Sequence, residues 1–526
     1  TEGLRTKPRL PVRGGLLDAF DARIPFVLTD GQQEVSAEIA KDLAREHPMH
    51  RLLQGEVGSG KTVVALRAML SVIDSGGQTA LLAPTEVLAA QHFRSITSML
   101  GDLAEGGMLG GSEIGTQVRL LTGSQPTGIR RRSLLDAASG DAGIVIGTHA
   151  LIQEHVQFFD LGLVVVDEQH RFGVEQRDAL RGKGKQPPHT LVMTATPIPR
   201  SVAMTVFGDM ETSTLTELPK GRSPIATHVV GNPLWFQRTW ERVAEEVRAG
   251  HQAYVVCPRI GDSDLELDEG LAVPQDIALD DAGLVGAGLD NAGLDNAGYA
   301  GLDDDELGKD AFDDEASVLA ANRELHSVLQ MESELRDNPA LAGLRTAILH
   351  GRMAAEDKDE VMQAFAAGTI DVLVATTVIE VGVDVANATV MVIMDADRFG
   401  ISQLHQLRGR VGRGTSPGLC LLVTESDSEA GQQRLLGVAA TNDGFSLARL
   451  DLATRSEGDV LGARQSGGKS QLRLLRLLRD EDLIVAARED AFSIVETDPD
   501  LHQHPVLRNV IASALDDEQA AYLGRG

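Results

Sequence analysis

Residues 55–62 read Gly55-Glu56-Val57-Gly58-Ser59-Gly60-Lys61-Thr62 (GEVGSGKT), set between a short apolar run, Arg51–Leu53, and a helical pattern, VVALRAMLSVI. A strand, a glycine-rich loop and a helix in that order are the context the G-x-x-x-x-G-K-[ST] motif requires. The glycines let backbone N–H groups turn inward and wrap phosphate oxygens at the start of a helix. Lys61 is placed to reach β- and γ-phosphates, and Thr62 to offer its hydroxyl to Mg²⁺. The stretch predicts a nucleoside-triphosphate site, ATP with Mg²⁺, in a parallel α/β fold.

The second half of such a site is acidic and follows an apolar strand. LGLVVVDEQH supplies it: Asp167 would hold Mg²⁺ through water, and Glu168 would act as general base on the attacking water. Phosphoryl transfer also needs positive charge on the transferring group. QLHQLRGRVGRG carries Gln406, Arg410 and Arg413 at about one helical turn apart, and its guanidinium groups suit a role as arginine fingers.

Outward from these motifs, short β-branched runs alternate with helical patterns, the signature of parallel α/β sheets. One series is Arg51–Leu53, Thr79–Ala83, Gly143–Ile146, Leu163–Val166 and Thr190–Met193. A second starts near Gln252 and continues with Thr346–Leu349, Asp371–Val374, Val390–Met394 and Leu419–Val423. The seam falls in LPKGRSP, Leu218–Pro224. After about Ser426 helical periodicity takes over, in Ala430–Ala440 and Ser470–Arg479. The expected organisation is a remnant linker at 1–21, one α/β domain at 22–222, a second at 223–425 and a helical piece at 426–526.

The formal net charge of −29 argues against a nucleic-acid partner only if it is evenly spread. It is not. Gly261–Leu319 holds 18 acidic residues and one lysine within AGLVGAGLDNAGLDNAGYAGLDDDELG-type repeats, which leaves −12 for everything else. That composition buries too little apolar surface to offset its ordering entropy. Residues 261–316 therefore read as a disordered acidic insertion that loops away from any polyanion. The glycine-rich nonapeptide spacing of calcium repeats is absent. Cys257 and Cys420 both sit in apolar runs, which excludes a disulfide framework or a cysteine zinc site. The runs are too short to span a bilayer, and no leader pattern opens the chain, so the expected location is cytoplasmic.

The ordered set PFVLTDGQ, GEVGSGKT, APTEVLAAQH, GTHALIQ, VVVDEQHRFGVEQR, TATPIPR, LHGRM, TTVIEVGVDV and QLHQLRGRVGRG resembles a superfamily 2 helicase with two RecA-like domains. DEQHRFGVEQR, TATPIPRS and DADRFGISQLHQLRGRVGRG narrow the resemblance to RecG-type branch-migration DNA helicases. It covers nearly all of residues 22–515 except the insertion. The resemblance implies that Gln32 reads the adenine edge and Phe26 stacks near the base. Thr85, Thr148 and His149 would lie along the DNA backbone. Thr194 and Thr196 would link the nucleotide site to the DNA, Thr376 and Thr377 would touch phosphates, and Asp384 would approach ATP. Hydroxyls and backbone N–H groups hold phosphates without reading bases, as a translocase requires.

RLLGVAATNDGFSLARLDLATRSEGDVLGARQSG is similar to the helical hairpin and loop of family members that track on duplex DNA, with Arg434, Arg455 and Gln465 at its functional positions. It departs from the family turn Arg-Gly-Pro-Gly, reading Arg455-Ser456-Glu457-Gly458. With about 21 residues before the motor, the chain as given leaves no room for the family's N-terminal wedge domain. The resemblance implies a monomeric, nucleoid-associated DNA translocase acting on branched or duplex DNA, with a single-strand DNA-binding protein as a further partner. A transcription-repair-coupling translocase module and an ATP-gated DNA clamp are the competing readings. A small-molecule kinase would have no use for the second α/β domain and its arginines.

Overall fold

The computed structural model describes residues 5–107, 112–153, 155–167, 183, 185–195, 210–217, 225–260, 326–380, 385–414, 416–426, 428–454, 480–498 and 500–514. These fall into two compact units, one drawn from Thr1–Arg222 and Asp443–Gly526, the other from Ser223–Glu380 and Val385–Asn442. The acidic insertion and the Leu218–Pro224 seam lie outside the described residues.

The first unit is built on β1 (His50–Gly55), β2 (Gln78–Leu82), β3 (Gln117–Leu121), β4 (Ala142–Gly147), β5 (Leu161–Asp167), β6 (His189–Thr194) and β7 (Glu211–Leu215). All pairings are parallel, in the order β3-β4-β2-β5-β6-β1-β7. Successive residues of a strand point to opposite faces, and both faces are covered. Leu53, Leu81, Leu163, Val165 and Leu191 pack into one core with Leu66 and Met69 of the helix Lys61–Asp74. Leu52, Ala80, Leu82, Val164, Val166 and Val192 pack into another. Burial on both faces is why these strands read as continuous apolar runs.

The second unit holds β8 (Ile225–Val230), β9 (Gln252–Val256), β10 (Thr346–Leu349), β11 (Val372–Ala375), β12 (Ala388–Ile393) and β13 (Gly418–Val423). They are parallel in the order β10-β11-β9-β12-β13-β8. Cys257 and Cys420 are free and buried in its core. Burial pushes the Cys257 thiol well above its usual range and Cys420 to about 12, so both behave as small hydrophobes.

Three strands escaped the reading of apolar runs: β3, β7 and β8. All are edge strands. Their burial alternates or is incomplete, as in ETSTL of β7, where only Ser213 and Leu215 are buried. The helix Glu429–Ala440 matches its expected position and groups with the second unit. Residues from Asp443 onward group with the first, including the helices Gly444–Thr454, Glu481–Thr497 and Pro505–Ala514. The expected helix at Ser470–Arg479 lies outside the described residues. Among the described residues no helix is long and apolar enough to cross a membrane.

Candidate functional site

In a parallel sheet the functional edge is the one where the strands end. In the first unit, β1 ends at Gly55, β6 at Thr194 and β5 at Asp167, with β6 between the other two. Two inter-strand spacings and a two-residue offset in register put the Gly55 and Asp167 backbones roughly 12 Å apart, a span that a triphosphate can bridge.

The loop after β1 is shaped by its glycines. Gly58 and Gly60 have φ of 85° and 88°, in the left-handed region that glycine occupies without strain. A Cβ on Gly60 would also stand 2.3 Å from Gln32 Nε2. Gly60 is the N-cap of the helix Lys61–Asp74 and brings no side chain over its start, the end of a helix that favours an anion. Lys61 Nζ donates to Gly55 O at 2.8 Å and to Glu56 O at 2.9 Å, which folds the ammonium back over the loop. Thr62 follows at the second helical position and is half-buried. Ser59 is buried, and its backbone N–H donates to Glu56 O. Val57 lies half-buried between them.

Gln32 is buried, and its Nε2 donates to Ser59 O at 2.9 Å. Its Oε1 accepts from Thr29 N while its own N–H donates to Thr29 Oγ1, a reciprocal cap on the helix Asp30–Leu43. The side chain that the resemblance assigns to adenine thus braces the phosphate loop. That helix is itself anchored by Arg51 of β1, which donates to Asp42, Glu38, Ser213 and Glu211. Phe26 is 44% exposed, as a stacking platform must be.

Asp167 ends β5 and is buried. Its Oδ2 lies 2.7 Å from Nε2 of His92, also buried, which therefore donates to the carboxylate. The sequence reading gave His92 no role, although it closes the quoted motif APTEVLAAQH. Glu168 and Thr196 lie outside the described residues. The pair Thr62 and Asp167, a hydroxyl and a carboxylate, suits a hard cation that keeps phosphate and water oxygens as its other ligands. No cluster of three or more His, Cys, Asp or Glu that could hold a metal gathers among the described residues.

Of the residues expected along DNA, His149 is exposed and Thr85 half-buried. Thr85 caps the helix Glu86–Leu100, accepting from Leu88 N at 3.3 Å. Thr148 and Thr194 are 1% and 0% exposed. Their side chains are buried in the protein.

In the second unit, Thr376 and Thr377 follow β11 and are 0% and 2% exposed, so their hydroxyls are likewise internal. Gln406 lies on the helix Ile401–Arg408, with Arg410 and Arg413 just beyond its end; all three are half-buried. Arg413 Nε donates to Gly409 O at 2.9 Å. Burial raises the Tyr254 hydroxyl to about 12, against the opposing pull of Arg410 and Arg413. Arg408, between the expected residues, was missed. It is buried at 2% exposure and donates to Val438 O and Thr441 O, both at 2.8 Å, tying its helix to the end of Glu429–Ala440. Arg434 donates to Asp397 O. Asp384, Arg455 and Gln465 lie outside the described residues.

Residues 29–205 match the DEAD/DEAH box helicase family, 306–415 the helicase conserved C-terminal domain, and 441–516 the C-terminal part of domain 3 of the ATP-dependent DNA helicase RecG. The chain is 51% identical over 518 residues to the ATP-dependent DNA helicase RecG of Mycobacterium bovis, covering 97% of this chain and 63% of that protein. The Mycobacterium leprae RecG is 49% identical over 98% of this chain and 64% of its own length. A solved structure of RecG bound to a three-way DNA junction superimposes with a TM-score of 0.65 at 35% identity, over 92% of this chain and 54% of that one. The chain thus spans less than two thirds of the length of the curated relatives it matches.

Proposed function

Because this chain belongs to the RecG family of ATP-dependent DNA helicases, we propose that it hydrolyses ATP to move on duplex DNA and remodel branched DNA in recombination and repair. One observation carries the reading. The glycine-rich loop leaves β1 with Gly58 and Gly60 left-handed and Lys61 folded over it, the shape of a phosphate cradle at the start of a helix.

In this reading Lys61 exchanges its bonds to Gly55 O and Glu56 O for β- and γ-phosphate oxygens. The N–H groups at the start of Lys61–Asp74 complete the cradle. Thr62 and Asp167 would hold Mg²⁺, which when bound neutralises phosphate charge. Glu168 takes the proton of the attacking water. Arg410 and Arg413 supply the remaining positive charge to the transferring group, Gln406 adds a neutral amide beside them, and Asp384 approaches the nucleotide. Gln32 and Phe26 select and stack the base. Thr85 and His149 offer surface groups to the DNA backbone, while Thr148, Thr194, Thr196, Thr376 and Thr377 link strand ends to the nucleotide. Arg434, Arg455 and Gln465 convert that linkage into hairpin movement. A monomer in the cytoplasm, on the nucleoid and working beside single-strand DNA-binding protein, completes the proposal. Branched DNA as substrate is supported by the relative's complex with a three-way junction.

The test is ATP turnover without DNA, with single strands, with linear duplex and with a three-way fork. The reading expects the strongest stimulation from the fork. Stimulation by linear duplex alone would favour a transcription-coupling type of motor, and none by any DNA would overturn the reading.

A further inference from the structure

His92 and Asp167 are far apart in sequence, and both are buried with the His92 Nε2 to Asp167 Oδ2 distance at 2.7 Å. A carboxylate only accepts, so this bond fixes which oxygen of Asp167 is engaged and leaves Oδ1 directed elsewhere. His92 sits two turns into the helix Glu86–Leu100, which starts at the Thr85 cap. The same helix is held at its start by Glu86, whose Oε1 accepts from Gly123 N at 2.7 Å and Ser124 N at 3.1 Å. Ala89, Ile96 and Leu100 bury its other contacts in the core beside Leu81 and Leu163. A movement imposed at Thr85 or at the Gly123–Ser124 loop therefore reaches the Asp167 carboxylate through one rigid element.

We infer that His92 is a positioning residue: it orients the Asp167 carboxylate, and its helix carries contact at Thr85 to the nucleotide site, so that DNA accelerates hydrolysis by this route. The inference rests on the proposed assignment of Asp167 to the Mg²⁺ shell. Partners that hold a metal-binding carboxylate in place are commonly worth about 10- to 100-fold in metal affinity or activity.

The test uses the full chain with His92→Ala and His92→Gln, and two readouts. The first is binding of a fluorescent ATP analogue titrated with Mg²⁺. The second is the ratio of ATP turnover with and without forked DNA. His92→Ala is expected to raise the Mg²⁺ midpoint by about tenfold with Mg²⁺-free nucleotide binding unchanged, and to lower the DNA-stimulated kcat with little change in KM. His92→Gln keeps an N–H donor and should recover most of both. Thermal melting confirms that each variant is folded. A folded His92→Ala with an unmoved Mg²⁺ midpoint and unmoved stimulation ratio would overturn the inference. Wild-type protein that no DNA stimulates would count against the proposed function instead, and the Mg²⁺ midpoint would still decide the role of His92.

Discussion

The Glu56 carboxylate accepts a hydrogen bond from the backbone N–H of Gly444 at 2.9 Å, joining the phosphate loop to the first residue of the helix Gly444–Thr454. Asp443 satisfies the next two donors, Phe445 N at 3.1 Å and Ser446 N at 3.2 Å. A carboxylate at a helix N-terminus is favoured by the helix dipole as well as by the hydrogen bond. Glu56→Ala removes one acceptor and leaves the Asp443 cap. The Gly444 amide is expected to exchange with solvent about tenfold faster, as for the loss of one hydrogen bond of about 1.4 kcal/mol, while Phe445 and Ser446 change less. Hydrogen-exchange mass spectrometry of the peptide spanning 441–450 measures this.

Arg51 is the buried centre of a charge cluster, with Nη2 2.6 Å from Asp42 Oδ2 and 2.7 Å from Glu211 Oε2. Removing it takes from Asp42, which is 4% exposed, its closest and buried cation and leaves only the half-exposed Arg45 at 3.1 Å. Arg51→Ala is expected to cost about 3 to 5 kcal/mol, the range for breaking a buried ion pair from one side. The double variant Arg51→Met with Asp42→Leu should recover part of that loss. Urea unfolding of the three proteins provides the comparison.

Two histidines give stability opposite slopes with pH. Burial pushes His189 down to about 4, and its Nδ1 accepts from Met49 N at 3.0 Å, so the fold holds it neutral. The unfolded chain binds this proton near 6.5, so its stabilising contribution is complete above 6.5 and is lost as pH falls toward 4, on the order of 3 kcal/mol at most. His326 is raised instead, by its hydrogen bond to Asp395 at 3.0 Å, against the opposing effect of burial. Its contribution is complete below 6.5 and is lost as pH rises through its elevated value. Melting temperature against pH should flatten between 4 and 6.5 in His189→Gln, and above 6.5 in His326→Asn.

Arg408 donates from one guanidinium nitrogen to Val438 O and Thr441 O, and from the other side reaches His405 Nδ1 at 2.9 Å. A lysine has no planar fork with which to hold these partners together. Arg408→Lys is expected to destabilise the protein by about 1 to 3 kcal/mol, since buried carbonyls lose their donors, with faster amide exchange at the end of Glu429–Ala440. Guanidinium unfolding combined with exchange at 436–442 checks it.

The central strands of both sheets were legible because burial on both faces leaves an apolar run with no polar interruption, as in Leu163–Val166 and Val390–Ile393. The edge strands β3, β7 and β8 were not, although the edge strand β10 was, through its apolar run. β7 and β8 carry threonines, a glutamate and a histidine on their exposed sides, so neither apolar runs nor strict alternation marks them. The phosphate loop was legible because its chemistry is local: eight consecutive residues supply the glycines, the lysine and the hydroxyl. His92, Arg51 and Arg408 were not, because their partners lie at a distance in sequence and only the fold pairs them. For His92 a signal existed, a histidine two turns along from Thr85 on the helix face otherwise made of Leu88, Ala89, Ile96 and Leu100. Thr148, Thr194 and Thr376 stand out through the resemblance, but only the packed structure shows that their side chains are internal.

The most direct measurement is ATP turnover by the intact chain and by Lys61→Ala, each with and without forked DNA. The fork is expected to accelerate turnover by the wild-type chain, and the folded Lys61→Ala protein to hydrolyse no ATP under either condition. Equal turnover by the two proteins, or wild-type turnover indifferent to every form of DNA, would contradict it.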